Sequence, residues 1–299
     1  MYFKKNIPSC TCHFELVDVT NLEEFETVFK KYRPEIIFHA AAYKHVPLLE
    51  KNFKQAIKVN IFGTKICLDL ALKYGVDKFV YVSTDKAVNP TNIMGASKRF
   101  AEMLGQTAYN CKKNAHKMQI MSTRFGNVLG SNGSVVPLFT KQIASGGPVT
   151  ITHKDIIRYF MTIPEACQLV LEAGAMGNGG EIYIFDMGKP VKIYDLAEKM
   201  IKLAGFIPNV DIKIDIVGLR PGEKLYEELL NDNSKTIPTH HEKIMIAQEI
   251  EEEFEELHQD IIELISGSVV YNNEAIVAQM KKIVPEYKSM NSAFEVLDK

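Results

Sequence analysis

Three groups of residues carry side chains that could do chemistry together. The first is the segment Ser83 to Lys86 (STDK), which places hydroxyl, carboxylate and amine groups side by side. The second is Lys98, and the third is the alanine run Ala40 to Ala42. A hydroxyl can hold a sugar hydroxyl, a lysine can bind a ribose and lower the pKa of a neighbouring acid, and alanines let a flat cofactor approach the backbone. Each group has a simpler explanation, because alanines can merely accommodate a packed helix and an Asp-Lys pair can be solvated.

Hydrophobic patterning predicts the elements that position these groups. Apolar runs typical of buried strands alternate with stretches whose apolar residues repeat at helical spacing. This alternation predicts a parallel sheet covered by helices on both faces, and such sheets bind ligands beyond the carboxyl ends of their strands. The predicted strands are 36–42, 78–85, 119–128 and 181–186, and the predicted helices are 22–32, 56–74, 95–112, 164–175, 249–264 and 273–283.

The fold class predicted is α/β, a Rossmann-like doubly wound parallel sheet with a smaller α/β substrate-binding lobe. Glycines and short elements interrupt the strand-helix rhythm after residue 128. We therefore predict a dinucleotide-binding domain from residues 1–128 plus about 164–188. Residues 129–163 plus 189–299 are expected to form a nucleotide-sugar-binding lobe and the C-terminal helices.

Composition excludes several classes of protein. The 24% of charged and 46% of hydrophobic residues are ordinary for a globular chain and argue against disorder. With 35 basic and 37 acidic residues, the chain has no basic excess for binding nucleic acid. Its longest apolar runs are far shorter than the ~20 residues that span a bilayer. The start of the chain, MYFKKNIPSC, has no apolar region typical of a signal peptide.

Five scattered cysteines favour a reducing compartment, so we expect a cytoplasmic protein that could lie at the inner face of the membrane. Cys10-Thr11-Cys12-His13 has no second cluster at zinc-site spacing, and no metal site is expected. A homo-oligomer is expected.

Five spaced motifs over about residues 14 to 230 resemble one enzyme family. STDKAVNPTNIMGASK resembles the active-site segment of the extended short-chain dehydrogenase/reductase superfamily, with Met94 in the slot that is usually tyrosine. Together with the other four motifs, it resembles the bacterial UDP-N-acetylglucosamine 4,6-dehydratases of capsule and O-antigen synthesis, in their methionine-bearing branch. The other motifs are HAAAYKHVPLLE, VNIFGT, RFGNVLGSNGSVVPLF and RPGEKLYEELL.

The resemblance implies a reaction. NAD or NADP takes a hydride from sugar C4, a base then removes the C5 proton while the 6-hydroxyl leaves as water, and the hydride returns at C6. By resemblance, Thr84 binds the 4-hydroxyl, Asp85 assists loss of the 6-hydroxyl, and Lys86 is the base at C5. A lysine base needs a pKa lowered toward neutrality, which desolvation or the charge of Lys98 could supply. Met94 cannot take a proton, so another group, with Asp85 as one possibility, must deprotonate the 4-hydroxyl.

The resemblance also implies binding residues. Asn60 could instead be a structural asparagine that bridges the backbone, and Arg220 could form only a surface salt bridge. Arginines on the UDP side suit a diphosphate. The implied cofactor contacts are Asp18, Val19, Ala40, Ala41, Ala42, Lys44, Val59, Asn60, Lys98, Asn127 and Val128, and the implied substrate contacts are Lys44, Asn127, Arg158, Arg220 and Glu223.

The sequence departs from the family at its beginning. A dinucleotide fold opens with a strand, a glycine-rich turn and a helix whose N-terminus holds the pyrophosphate, yet no glycine precedes Gly63. The chain therefore resembles a family member without its first strands. We expect weakened NAD(P) binding and apolar sheet edges open to solvent. A nucleotide-sugar epimerase and an inactive UDP-sugar-binding scaffold remain alternatives, although the Asp-Lys pair and Met94 favour the dehydratase.

Overall fold

The computed structural model describes residues 10–110, 118–228, 236–248, 254–270 and 272–298. Strands are numbered in chain order. They are β1 (Ile36–His39), β2 (Lys78–Val82), β3 (Gln119–Arg124), β4 (Asn127–Val128), β5 (Val149–Ile151), β6 (Ile157–Arg158), β7 (Phe160–Met161), β8 (Ile182–Phe185), β9 (Val191–Lys192), β10 (Ile214–Ile216), β11 (Thr236–Pro238) and β12 (Ile244–Ala247).

The helices are numbered in the same way. A π-helical segment, Ala56–Gly63, precedes α4, and 3₁₀ turns span Asp85–Ala87 and Ala293–Leu297. The α-helices are α1 (Leu22–Tyr32), α2 (Val46–Lys51), α3 (Phe53–Gln55), α4 (Thr64–Tyr74), α5 (Ile93–Asn110), α6 (Val135–Ala144), α7 (Ile163–Met176), α8 (Ile193–Leu203), α9 (Phe254–Val270) and α10 (Asn273–Ile283).

A six-stranded sheet with the order β1-β2-β3-β8-β12-β11 lies at the centre of the fold. The first four strands in this order are parallel, whereas β12 runs antiparallel to β8 and to β11. Side chains of β2 alternate between two hydrophobic layers: Phe79 and Tyr81 belong to one core, and Val80 belongs to the other. Helices therefore cover both faces of the sheet, which confirms the predicted α/β class.

The first strand is shorter and more exposed than predicted. The sequence predicts a buried strand over 36–42, but β1 ends at His39 and lies at the edge of the sheet. Ile36 and Phe38 are 52% and 45% exposed. Among the described residues no strand pairs with the outer side of β1, so its apolar side chains have only one neighbouring strand to pack against.

The C-terminal residues return to the central sheet. β11 and β12 extend it, and α9 and α10 contribute Leu257, Ile261 and Met280 to the core that also contains Phe79. The predicted helix over 273–283 matches α10. The helix predicted over 249–264 begins at Phe254 and ends at Val270, and residues 249–253 lie outside the described residues, as do 111 and 112 at the end of the helix predicted over 95–112.

A smaller group of elements packs beside the sheet. It contains α6, α8 and the short parallel pair β5 and β10, around a separate core that includes Phe139, Ile151 and Ile201. β4 pairs with β7, and β6 pairs with β9. These short strands bring residues 127 and 158 toward the carboxyl ends of the central strands. No helix within the described ranges is long and apolar enough to cross a lipid bilayer.

Candidate active site

A cavity of about 620 Å³ opens at the carboxyl ends of β1, β2 and β3. Its walls come from these strand ends, from the first turns of α5, and from the smaller group of elements. The structure brings most of the predicted site residues together here. Those that line the cavity are Ala40, Ala42, Lys44, Thr84, Lys86, Met94, Lys98, Asn127, Val128, Arg158, Arg220 and Glu223.

Thr84, Asp85 and Lys86 form a hydrogen-bonded group at the end of β2. The Thr84 hydroxyl donates to Asp85 Oδ1 at 2.9 Å, and the Lys86 ammonium donates to the same oxygen at 2.9 Å. The Asp85 side chain is 4% exposed, so its carboxylate is shielded from water. Thr84 also caps the short 3₁₀ turn that begins at Asp85, because its hydroxyl accepts from the Lys86 backbone amide. The local turn therefore fixes all three side chains.

The charge state of Lys86 differs from the one that the sequence suggests. Burial alone lowers the pKa of Lys86, but the carboxylates of Asp85 and Glu227 outweigh it and raise the pKa above its ordinary value. Glu227 Oε1 lies 3.4 Å from the Lys86 amine. In this arrangement Lys86 carries a proton, whereas a base would need a lowered pKa.

Lys98 has the lowered pKa instead. Its amine is buried in the cavity wall and donates to the Val82 carbonyl at 2.8 Å. Desolvation lowers the pKa of Lys98 to about 8, although Glu102 partly opposes this. The amine also lies 4.7 Å from the centroid of the Tyr81 ring. Lys98 is therefore a hydrogen-bond donor that titrates within reach of neutral pH.

The start of α5 is fixed from several directions. The Asn92 side chain accepts from the Gly95 amide at 2.8 Å, and Glu50 accepts from the Ile93 amide at 2.8 Å. A Cβ atom at Gly95 would lie 2.2 Å from the Lys86 carbonyl oxygen, so only glycine allows this close approach. These contacts place Met94, which is 4% exposed, on the cavity wall.

A buried charge network behind the cavity was missed at the sequence level. Glu102 is completely buried and accepts from Ser83 Oγ at 2.6 Å. Arg124 donates to both of its oxygens, at 2.8 and 2.6 Å. Arg99 approaches Glu102 and also donates to Glu286 at 2.9 Å. The position of Glu102 one turn after Lys98, on the apolar face of a helix, was the available signal.

The substrate-side residues also form a connected group. Arg158 donates to the Lys224 carbonyl at 2.9 Å and lies 3.4 Å from Glu223 Oε1. Glu223 also accepts from Thr152 Oγ1 at 3.0 Å and from the Arg220 backbone amide at 3.1 Å. The Arg220 guanidinium has no ion pair among those recorded for the described residues, and its side chain is exposed at the cavity.

Asn60 lies in the π-helical segment and bridges the backbone of Tyr43. Its side chain accepts from the Tyr43 amide at 2.8 Å and donates to the Tyr43 carbonyl at 2.9 Å and to Ser97 at 2.9 Å. This is the geometry of the structural alternative. It fixes the turn that carries Lys44 to the cavity.

The remaining predicted contacts lie away from the cavity wall. Asp18 is exposed and accepts from the amide and hydroxyl of Thr20, which together lower the pKa of its carboxyl. Val19 lies near Gly63. The other predicted site residues that do not line the cavity are Ala41, Val59, Asn60 and Asp85, although Asp85 is hydrogen-bonded to Thr84 and Lys86, which do. The structure thus places part of the predicted cofactor residues at the cavity, Asp18 and Val19 near the start of the described chain, and the rest beside the cavity-lining residues in sequence or in the π-helical segment.

A family model described as "Polysaccharide biosynthesis protein" matches residues 2–249. The chain is 52% identical over 221 residues to "Probable polysaccharide biosynthesis protein EpsC" of Bacillus subtilis, and 55% identical over 218 residues to "Capsular polysaccharide biosynthesis protein CapD" of Staphylococcus aureus. These matches cover 74% and 73% of this chain. The chain spans about a third, 36%, of the length of each relative.

Two further matches are less similar. "UDP-N-acetylglucosamine 4,6-dehydratase (inverting)" of Campylobacter jejuni is 38% identical over 200 residues, which is 67% of this chain and 57% of the relative. Among solved structures, "X-ray structure of Pen from Bacillus thuringiensis" superposes with a TM-score of 0.73 and 33% identity, and covers 82% of this chain and 74% of that one.

Four parallel strands with STDK and a buried lysine at their carboxyl ends form the Rossmann-like arrangement that the resemblance to the short-chain dehydrogenase/reductase superfamily predicts. The match over residues 2–249 then assigns the chain more narrowly. The chain belongs to the polysaccharide biosynthesis protein family, whose members here include proteins named for capsule synthesis.

Proposed function

We propose that this chain carries the catalytic site of a UDP-N-acetylglucosamine 4,6-dehydratase of bacterial polysaccharide synthesis. The observation that carries the proposal is the hydrogen-bonded group of Thr84, Asp85 and Lys86 at the cavity wall. It joins a hydroxyl, an acid and an amine through one carboxylate oxygen. Arg158 and Arg220 line the same cavity and would hold the diphosphate of a UDP-sugar.

The cofactor proposed is NAD or NADP. The cavity fits its nicotinamide and ribose half, because Lys98 offers a buried donor and Ala40 and Ala42 form a wall of small side chains. The residues before Gly63 offer no glycine turn for the pyrophosphate. When bound, the nicotinamide supplies a hydride acceptor that is regenerated in the reaction.

The residues of the cavity can move the protons that a 4,6-dehydration requires. A proton from the sugar 4-hydroxyl can pass to the Thr84 hydroxyl as Thr84 gives its own proton to Asp85 Oδ1, 2.9 Å away. Asp85 then holds a proton for the departing 6-hydroxyl. Its protonation also removes one of the two carboxylates that keep Lys86 charged. The Lys86 side chain is 18% exposed, so its ammonium can then release its own proton to solvent, and the neutral amine can take the C5 proton. Met94 takes no part in proton transfer.

A nucleotide-sugar epimerase is the second candidate, because relatives 35–36% identical to this chain are named "UDP-glucose 4-epimerase". An epimerase needs no acid for a departing hydroxyl, and Met94 stands in the slot where the epimerases of the resembled superfamily carry tyrosine. The buried Asp85-Lys86 pair therefore supports the dehydratase. A scaffold that only binds UDP-sugars is the third candidate.

The three candidates give different products with UDP-N-acetylglucosamine and millimolar NAD or NADP. We expect a 4-keto-6-deoxy sugar by NMR, and loss of this product in D85N and K86M. A C4 epimer would favour the epimerase. No product together with calorimetric binding of UDP would favour the scaffold, and the exposed variant K202M serves as the matched control.

A further inference from the structure

Glu227 lies between the amine of Lys86 and the guanidinium of Arg158. Its Oε1 atom is 3.4 Å from Lys86 Nζ and 3.5 Å from Arg158 Nε, and its side chain is 4% exposed. Neither contact is a close hydrogen bond, so one oxygen is shared between two cations. Water screens such buried ion pairs only weakly. Each cation therefore affects the strength of the ion pair between Glu227 and the other cation.

The backbone around Glu227 is fixed on both sides of the cavity. The Leu225 carbonyl accepts from the Ile157 amide at 3.3 Å, next to Arg158 in β6. Lys224 Nζ donates to the Val88 carbonyl at 3.3 Å, just after the 3₁₀ turn that carries Lys86. The segment is therefore tied to the elements that present both cations, and Glu227 needs no rearrangement to reach them.

The charges around Glu227 alternate in sign across the cavity. Asp85, Lys86, Glu227, Arg158 and Glu223 follow one another at contacts of 2.9 to 3.5 Å. The charged groups that face Lys86 are Asp85, Glu227 and Arg158. Asp85 belongs to the same turn as Lys86, so Glu227 is the carboxylate contributed from a segment distant in sequence.

We propose that Glu227 is a positioning residue that couples Lys86 to Arg158 through one carboxylate oxygen, so that what Arg158 binds alters the reactivity of the Lys86 amine. Its catalytic meaning rests on the proposed function. A diphosphate bound at Arg158 would compete with Glu227 for the guanidinium. It would thereby change the interaction of Glu227 with Lys86 and the reactivity of the Lys86 amine. By linkage, the charge of Lys86 affects diphosphate binding equally.

The test measures lysine reactivity and needs no turnover. The chain is treated with limiting acetic anhydride at constant pH, and peptide mass spectrometry gives the acetylation rates of Lys86 and Lys224. Only neutral amines react, so removal of a neighbouring carboxylate raises the rate. We expect E227Q to raise the acetylation rate of Lys86 by roughly tenfold, which corresponds to a fall of one unit in its pKa. The acetylation rate of Lys224 should not change.

The neighbouring residue supplies a matched control. Glu228 pairs with Lys224 at 3.0 Å and is 43% exposed on its side chain. E228Q should accelerate Lys224 and leave Lys86 unchanged. E227D keeps the negative charge but moves it away from Lys86 by one methylene, so it should raise the acetylation rate of Lys86 less than E227Q does. If circular dichroism shows that E227Q does not fold, E227D replaces it in the test.

Coupling to Arg158 is tested in two backgrounds. R158Q should slow acetylation of Lys86 in the wild-type chain, because Glu227 is then free to pair with Lys86 alone. In the E227Q or E227D background this slowing should be at least halved. The inference is overturned if R158Q slows acetylation of Lys86 equally in both backgrounds. It is also overturned if E227Q changes the Lys86 acetylation rate no more than E228Q does. Absence of the dehydratase product would instead count against the proposed function. The acetylation rates of Lys86 would still test the coupling, because they do not depend on turnover.

Discussion

Arg124, at the end of β3, donates two hydrogen bonds to Glu102 of α5, and neither side chain is more than 2% exposed. Because Glu102 also accepts from Ser83 at the end of β2, one carboxylate holds two neighbouring strand ends against one helix. The tips of these strands carry Thr84 and Asn127 to the cavity. The network therefore helps to set the geometry of the site, and of its members only Ser83 lines the cavity among the described residues.

Removal of Glu102 should be severely destabilising. E102A removes the carboxylate that accepts two hydrogen bonds from the buried guanidinium of Arg124, and we expect a loss of about 3–5 kcal/mol in the free energy of unfolding. E286Q removes only a partly exposed partner of Arg99 and should cost at most about 1 kcal/mol. Urea unfolding followed by circular dichroism measures both, and equal losses would contradict the role given to the network.

Alanine at Gly95 should displace the turn that carries Lys86. A Cβ atom there would lie 2.2 Å from the Lys86 carbonyl oxygen, whereas one at Gly105 of the same helix would lie 3.3 Å from the Ile120 methyl group. We expect G95A to destabilise the chain by about 2 kcal/mol or more and to abolish product formation. G105A gains helix propensity and should change stability by less than about 1 kcal/mol. Thermal melts compare the stability of the two variants, and the NMR product assay compares their activity.

Lys98 should limit stability at neutral pH. Its pKa falls from 10.5 to about 8 on folding, so the unfolded chain binds more protons between these values and stability rises with pH across that window. K98M removes the cost of burying a charge and should stabilise the chain at pH 7 by roughly 1–3 kcal/mol while it abolishes activity. The gain should vanish above pH 10.5. A K98M chain that is no more stable than K202M at pH 7 would refute this.

His39 should make the chain sensitive to mild acid. Burial lowers its pKa from 6.5 to about 4, and its ring contacts the Thr64 hydroxyl at 3.0 Å. The unfolded chain is protonated first, so stability present above pH 6.5 is lost as the pH falls toward 4, by roughly 3 kcal/mol at most. H39Q should reduce the dependence of the free energy of unfolding on pH in this range. H13Q, which replaces an exposed histidine, should not. Urea midpoints at several pH values test this.

The chain by itself should bind NAD or NADP weakly. No glycine precedes Gly63, so the given sequence does not contain the glycine turn before a helix N-terminus that commonly holds a pyrophosphate. We expect no saturation below millimolar cofactor in calorimetric titration. Micromolar affinity would show that other residues bind the pyrophosphate.

The central elements could be predicted because their signals are local. Apolar runs at 78–85 and 119–128 were long and bounded by turns, and β2 and β3 lie inside them. The apolar composition of β1 predicted a buried strand, and only the resemblance predicted an apolar sheet edge, because the exposure of β1 depends on which strand lies beside it. Likewise, the return of β11 and β12 to the sheet depends on contacts distant in sequence.

The site was predicted from motifs, and its energetics were not. The STDK segment and Lys98 stand out by residue type, and the structure places them around one cavity. Their charge states depend on contacts between separate motifs and on burial, which the motifs themselves do not show. Asp85 and Glu227 keep Lys86 charged, and desolvation by burial lowers the pKa of Lys98. Such effects depend on a few ångströms of tertiary packing.

One helix carries Met94, Lys98 and Glu102 at successive four-residue intervals. An alteration that slides α5 would therefore move the cavity wall and the support of both strand tips together. Directed evolution of this scaffold toward other sugars should consequently accumulate its adaptive changes on the opposite wall, near Arg158 and Arg220, and eliminate those along the helix.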